Sequence, residues 1–168
     1  MTKNYKNQGK TKLDHKHSQN RYDQEIRQLI NDGMDKVRET WAEFKRGELH
    51  GPYGKQQILE RIYAVYCEWK RRDLAPIIRV LAEFHGESPN PPIHILNLFI
   101  RAALPQVKLP VVLTWVDALR CGEAHNVRPN KMRAFLYVKG GLVKAARYIR
   151  KRKRVAPLRD MFARIGIA

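Results

Sequence analysis

Acidic residues are scarce at the carboxyl-terminal end of this sequence. Residues 124–168 contain thirteen lysines and arginines but one acid, Asp160. Residues 1–20 contain five lysines and one aspartate, whereas residues 21–123 hold fifteen bases and fourteen acids and are nearly neutral. Uncompensated positive charge on a protein surface repels itself and attracts polyanions. The charge distribution therefore predicts a partner of high negative charge, and nucleic acid is the first candidate.

Long hydrophobic runs are also missing. The most apolar stretch, residues 93–119, is interrupted by Arg101, Lys108 and Asp117 and by two prolines, whereas a membrane-spanning helix needs about 20 predominantly apolar residues in succession. The amino terminus stays polar well past residue 20, unlike a signal peptide. We therefore expect no membrane partner and a cytoplasmic protein, or a nuclear one if its source is eukaryotic.

Residue patterns for metal binding and catalysis are missing as well. Cys67 and Cys121 are far apart and neither has a CxxC partner, so we interpret both as reduced, buried thiols of an intracellular protein. The six histidines show no spacing typical of a zinc site, and no glycine-rich phosphate loop or GxSxG motif is found. The acids of residues 21–46 alternate with bases, as on an ion-paired surface. The sequence therefore predicts no cofactor, no metal and no enzyme.

Apolar residues recur at helical spacing along most of the chain. Within residues 21–46 an apolar residue returns every third or fourth position, and the following segments show the same period. No stretch alternates apolar and polar residues at the period of two that a half-buried strand requires. The sequence therefore predicts an all-α fold, a compact bundle of about seven helices over residues 21–168. Residues 1–20 hold very few apolar residues and are predicted to form a disordered basic tail.

Proline, glycine and aspartate set the predicted boundaries of the helices. Residues 50–54 are predicted to form a turn and residues 87–92 a proline-rich loop. Asp73 is predicted to cap a helix, and Pro157 to begin the last short one. The buried face of the helix after Asp73 is predicted to be Leu74, Ile77, Ile78, Leu81 and Phe84.

The main functional prediction concerns a basic helix over residues 129–153. Its predicted apolar face consists of Met132, Phe135, Leu136, Leu142, Val143, Ala146 and Ile149. At 100° per residue, a second face forms a single stripe of bases with two interleaved tyrosines: Arg133, Tyr137, Lys144, Tyr148 and Lys151, with Arg147 at its border. Basic side chains neutralise phosphates, and tyrosine can stack on an exposed base. The residues predicted to bind nucleic acid are Arg128, Lys131, Arg133, Tyr137, Lys144, Arg147, Tyr148, Arg150, Lys151, Arg152, Lys153 and Arg154.

Gly140 and Gly141 interrupt this helix, at a cost of about 1 kcal/mol each relative to alanine. We expect a bent or closely packed continuous helix. The alternative is a helix-turn-helix, with residues 129–138 as the first helix and residues 142–153 as the recognition helix. That second helix would present Lys144, Arg147, Tyr148 and Lys151 to a major groove.

A second basic neighbourhood follows Trp69, which we expect to be a core residue. Lys70, Arg71 and Arg72 lie at the carboxyl end of a predicted helix and form a secondary nucleic-acid-binding candidate. The sequence as a whole predicts a protein that binds DNA or RNA through its phosphates. Such a protein would act as a regulator or accessory factor, or as a small subunit of a nucleoprotein complex beside other subunits. The alternative is a non-enzymatic scaffold that binds an acidic protein partner.

Overall fold

The computed structural model describes residues 8–49, 51–87 and 94–152. These residues form helices and connecting turns without any strand, so the predicted all-α class is confirmed. The predicted helix at Pro157 and residues 1–7 of the predicted tail lie outside the described residues. In chain order, the helices are α1 (Gln8–Lys45), α2 (Gly51–Lys70), α3 (Leu74–Phe84), α4 (Ile95–Ala103), α5 (Leu109–Ala124), a 3₁₀ turn (Pro129–Lys131), α6 (Met132–Val138) and α7 (142–152).

Helix α1 begins at Gln8 and not near residue 21, so the helix boundary lies inside the segment predicted as a tail. Residues 8–20 contain no proline and are rich in lysine and glutamine, which a solvated helix accepts readily. The predicted apolar stripe of α1 is buried, with Ile30 and Val37 fully enclosed. At Gly33 the helices approach so closely that a Cβ atom would lie 2.8 Å from the Trp69 ring. Glycine is therefore required where α1 crosses α2.

The core lies around α2 and α4. Trp69 is 1% exposed, and its ring centroid lies 4.5 Å from that of Phe99, which confirms Trp69 as a core residue. Helix α4 is apolar nearly all round and packs against α1, α3 and α5. Helices α1 to α5 form what we call the body, and within it α2 contacts α1, α3 and α5. Helix α6 contacts both α2 and α5, so the carboxyl-terminal helices are attached to the body through these two helices.

Two predicted features near the middle of the chain are wrong, and one is confirmed. Residues 51–54 belong to α2 and not to a turn, because Pro52 is well tolerated in a first helical turn. Asp73 caps α3 as predicted, since its carboxylate accepts a hydrogen bond from the Ala75 backbone N–H at 3.0 Å. Phe84 is 54% exposed, because Val80 completes the buried face of α3 instead.

The predicted continuous basic helix is also wrong. Helix α6 ends at Val138, and α7 begins at residue 142. Gly140 and Gly141 have φ angles of 76° and 95°, in the left-handed region that glycine adopts at little cost. The Gly141 backbone N–H donates to the Leu136 carbonyl at 2.8 Å and closes the end of α6. These boundaries match those of the helix-turn-helix alternative.

The break changes which side chains face the core. Met132 and Leu136 of α6 are fully buried, as are Ala145, Ala146 and Ile149 of α7, whereas Phe135 and Leu142 are half-buried. Val143 is 55% exposed, so its predicted place on the apolar face is wrong. The prediction assumed one unbroken helix through residues 139–141. The glycine turn changes the rotation of α7 relative to α6, so the buried face of α7 falls on other residues than predicted.

Candidate nucleic-acid interface

The outward face of α7 is basic. Its buried residues Ala145, Ala146 and Ile149 fix the orientation of the helix against the body. At 100° per residue, the opposite side falls on positions 144, 147, 148 and 151. All four side chains are exposed, and Arg152 lies beside them. We call the residues Lys144, Arg147, Tyr148 and Lys151 the α7 face.

The bases around the α7 face are largely unpaired. Residues 124–152 contain nine lysines and arginines and no acid. Among the described residues, Arg150 alone of these nine forms an ion pair, with its Nε 2.8 Å from Asp117 Oδ2 of α5. Arg150 also donates to the Thr114 hydroxyl at 3.2 Å. Arg150 therefore fastens α7 to α5, whereas Lys144, Arg147 and Lys151 are exposed and form no ion pair with a described residue.

Tyr148 belongs to a cluster that sequence reasoning missed. The His125 ring lies 5.4 Å from the Phe135 ring and 5.2 Å from the Tyr148 ring, between centroids. The Lys139 ammonium lies over both outer rings, at 5.5 and 5.3 Å. His125 Nδ1 is 2.8 Å from the Cys121 carbonyl, so it carries the proton and leaves Nε2 to accept from Lys139 at 3.4 Å. The cluster joins α5, α6 and α7, and the glycine turn brings its members together.

The other predicted tyrosine, Tyr137, is 70% exposed at the end of α6. Its ring and hydroxyl have no partner among the described residues. Val138 beside it is 81% exposed. Tyr137 therefore presents an open aromatic surface, of the kind on which an unpaired base can stack.

The remaining predicted residues are divided between different surfaces. Arg128 precedes the 3₁₀ turn and Lys131 is its last residue, and both are exposed, whereas Arg133 lines a pocket against α1 and α2. A single stripe from Arg133 to Lys151 required an unbroken helix, so that part of the prediction is wrong. Lys153 and Arg154 lie outside the described residues.

At the secondary candidate, Lys70 is held by the body. Its Nζ lies 2.6 Å from Glu123 Oε1, and the Tyr66 hydroxyl donates to the same oxygen at 2.6 Å. His94 Nε2 is 3.9 Å from the other carboxylate oxygen. Arg71 and Arg72 are exposed after the end of α2 and form no ion pair with a described residue. This site therefore presents two available bases and not three.

Tyr66, Lys70 and His94 surround Glu123, and we call these four residues the Glu123 network. Their contacts change the pKa values of Glu123 and Tyr66. Burial raises the pKa of Glu123, but hydrogen bonds from Lys70 and Tyr66 and the nearby positive charges outweigh it, so the pKa is lowered overall. Burial and the hydrogen bond to Glu123 raise the pKa of Tyr66. Sequence reasoning missed this network because α2, α4 and α5 supply its residues from distant segments. Its polar groups satisfy one another and hold three helix ends together.

Metal chemistry and membrane insertion find little support in the part of the chain that is described. No group of three histidine, cysteine, aspartate or glutamate side chains there could hold a metal ion. Cys67 and Cys121 are both free thiols. None of the helices described has the length and apolar character needed to cross a bilayer. Comparison with protein-family models, curated proteins and solved structures finds no match to this chain.

Proposed function

We propose that this protein binds nucleic acid through the α7 face. The observation that carries the proposal is the contrast in pairing, since Lys144, Arg147 and Lys151 are exposed and form no ion pair with a described residue. Such bases contact phosphates and release counterions, which supplies much of the affinity for any nucleic acid. Tyr148 and Tyr137 add aromatic rings that can contact phosphates or stack on bases.

The arrangement of α6 and α7 favours a helix-turn-helix mode of binding. Two helices joined by a three-residue turn that contains glycine are typical of that motif, whose second helix enters the major groove. Lys144 and Arg147 lie in the first two turns of α7, where base-contacting residues of recognition helices are found. We propose a role as a regulator or accessory factor, or as a small subunit of a nucleoprotein complex. We expect it to work inside the cell, where its partner is found.

The test replaces Lys144, Arg147 and Lys151 together by glutamine, which keeps helix propensity and removes three charges. A matched control replaces Lys36, Lys45 and Lys55, which are exposed on α1 and α2 and form no ion pair with a described residue. Binding of labelled duplex DNA, single-stranded DNA and RNA is measured by fluorescence anisotropy at several salt concentrations. The α7 variant should bind at least tenfold more weakly, and its salt slope on duplex should fall by about 2 to 3.

The control variant should lose less than about threefold, because long-range charge effects are screened within about 10 Å at 0.1 M salt. Equal losses in the two variants would assign binding to overall charge and overturn the α7 face. Unchanged binding in the α7 variant would do the same. Failure of the wild-type protein to bind any nucleic acid, with an acidic protein captured instead, would replace the proposal by the scaffold alternative.

A further inference from the structure

A pocket of about 450 Å³ lies where α1, α2 and the start of α6 meet. Its volume falls in the range of about 300 to 1,000 Å³ that is usual for ligand sites. Helix α2 contributes Gln57, Glu60 and Arg61, which share one face because they are three and four positions apart. Glu43 comes from α1, and Arg133 comes from α6. Three separate elements therefore converge on one hollow next to the helix-turn-helix, with both polar and apolar residues in its lining.

Charged groups of both signs line this pocket without pairing. Glu43 and Glu60 are half-buried, and Arg61 and Arg133 are exposed. None of these four side chains forms a hydrogen bond or ion pair with a described residue. Elsewhere on the body, acids and bases at the surface do pair, for example Arg27 with Glu83. The pocket therefore offers two carboxylates and two guanidinium groups to a ligand that carries both hydrogen-bond donors and an anion.

We propose that this pocket receives the base of an unpaired guanine nucleotide, with Glu43 or Glu60 accepting from the Watson–Crick edge of the base and Arg61 and Arg133 contacting its phosphate. The proposal rests on the proposed function, because that nucleotide belongs to the nucleic acid held by α7. It adds a preference for one base to an interface whose proposed affinity comes mainly from phosphate contacts.

The choice of guanine follows from the chemistry of a carboxylate. Guanine presents two adjacent donors, N1–H and the N2 amino group, which one carboxylate can accept together. Adenine and cytosine present an amino group beside a nitrogen lone pair, and uracil presents one N–H between two carbonyls. A carboxylate placed against those edges faces a lone pair and loses hydrogen bonds, which costs binding. Guanidinium groups suit the phosphate because of their planar donor geometry.

The experiment uses the full chain and two single-stranded RNA hexamers that differ in one group. Both contain five uridines, and the third position is guanosine in one and inosine in the other, which lacks the N2 amino group. The wild-type protein should bind the guanosine hexamer about tenfold more tightly, the effect of one hydrogen bond to a charged group. Glu60→Gln or Glu43→Gln should bring the ratio close to one. Glu39→Gln, an exposed change on α1 outside the pocket, should leave the ratio unchanged.

The same measurements separate the two proposals. The triple glutamine variant of the α7 face should weaken both hexamers by the same factor and keep their ratio. A wild-type ratio near one, or a ratio that both pocket variants leave intact, would overturn the guanine pocket while the α7 face still stands. Binding of guanosine monophosphate, sensitive to Glu60→Gln, without binding of either hexamer would support the pocket for a free nucleotide and overturn the nucleic-acid function. No binding of either kind would overturn both.

Discussion

The body of this protein and its carboxyl-terminal helices differ in how many of their basic side chains form ion pairs. In residues 21–123, seven of the fifteen bases form ion pairs with described residues: Arg21, Arg27, Arg38, Arg46, Lys70, Arg79 and Arg101. In residues 124–152, one of the nine bases, Arg150, forms an ion pair among the described residues. Exposed ion pairs contribute about 0 to 1 kcal/mol each, so stability alone does not explain the contrast. Among the described residues, ion pairing is therefore more frequent on the body than on the terminal helices, and the proposed nucleic-acid interface would account for this contrast.

The burial of core residues does not differ between the body and the carboxyl-terminal helices. Leu136 of α6 and Ala145 and Ala146 of α7 are as fully buried as the residues of α2 and α4. Helix α6 packs against α2 and α5, so the basic helices share one core with the body. The two regions therefore differ in surface chemistry and not in how they are anchored. A rigid attachment of this kind holds a charged face in one orientation.

The largest effect should come from removing that anchor. Leu136→Ala deletes a side chain with no exposed surface and should lower the free energy of unfolding by about 2 to 5 kcal/mol in urea denaturation. Val138→Ala, two residues further along α6 and 81% exposed, should change it by less than about 0.5 kcal/mol. A small loss for Leu136→Ala would mean that α6 and α7 unfold apart from the body, and the shared core would be disproved.

A smaller effect should separate Arg147 from Arg150, two of the three arginines of α7. Arg150→Gln removes the ion pair to the buried carboxylate of Asp117 and should cost about 1 to 2 kcal/mol of stability. Arg147→Gln removes an exposed charge without a partner and should leave stability within about 0.5 kcal/mol. In nucleic-acid binding the order should reverse, with the larger loss for Arg147→Gln. Equal losses of affinity would show that Arg150 contributes to the interface despite its ion pair with Asp117.

The sequence predicted the helices well because apolar spacing is a local signal. The stripe of α1, the cap at Asp73 and the central position of Trp69 all follow from neighbouring residues. The phase of the basic helix was mispredicted because Gly140 and Gly141 adopt positive φ angles, which depend on tertiary context as much as on residue type. The pocket at Arg133 and the network at Glu123 could not be predicted, since each joins side chains from three separate elements.

Acid should weaken the body at Glu123. The pKa of the Glu123 carboxyl is lowered in the folded protein. Its contribution to folding stability is therefore fully present above pH 4.5, the ordinary pKa of glutamate, and is lost as the pH falls through the pKa of the folded state. Glu123→Gln should cost about 1 kcal/mol at pH 7, and the gap to the wild type should close as the pH falls below 4.5. Thermal unfolding at pH 7, 5, 4 and 3 measures the gap. Glu68→Gln is the control, because Glu68 lies on α2 and forms no ion pair with a described residue. The difference in stability between this variant and the wild type should not shrink as the pH falls.

The two tyrosines near the interface should differ in what they contribute to stability and to binding. Tyr148 contacts His125 and Lys139, so Tyr148→Ala should cost about 0.5 to 1.5 kcal/mol of stability, whereas Tyr137→Ala should be neutral because its ring is 70% exposed. If Tyr137 stacks on an unpaired base, its loss should weaken single-strand binding by about 1 to 3 kcal/mol and duplex binding much less. Anisotropy titrations with matched single and double strands measure both. Equal losses on the two substrates would assign Tyr137 to phosphate contact, and the division between a structural Tyr148 and a base-stacking Tyr137 would then be wrong.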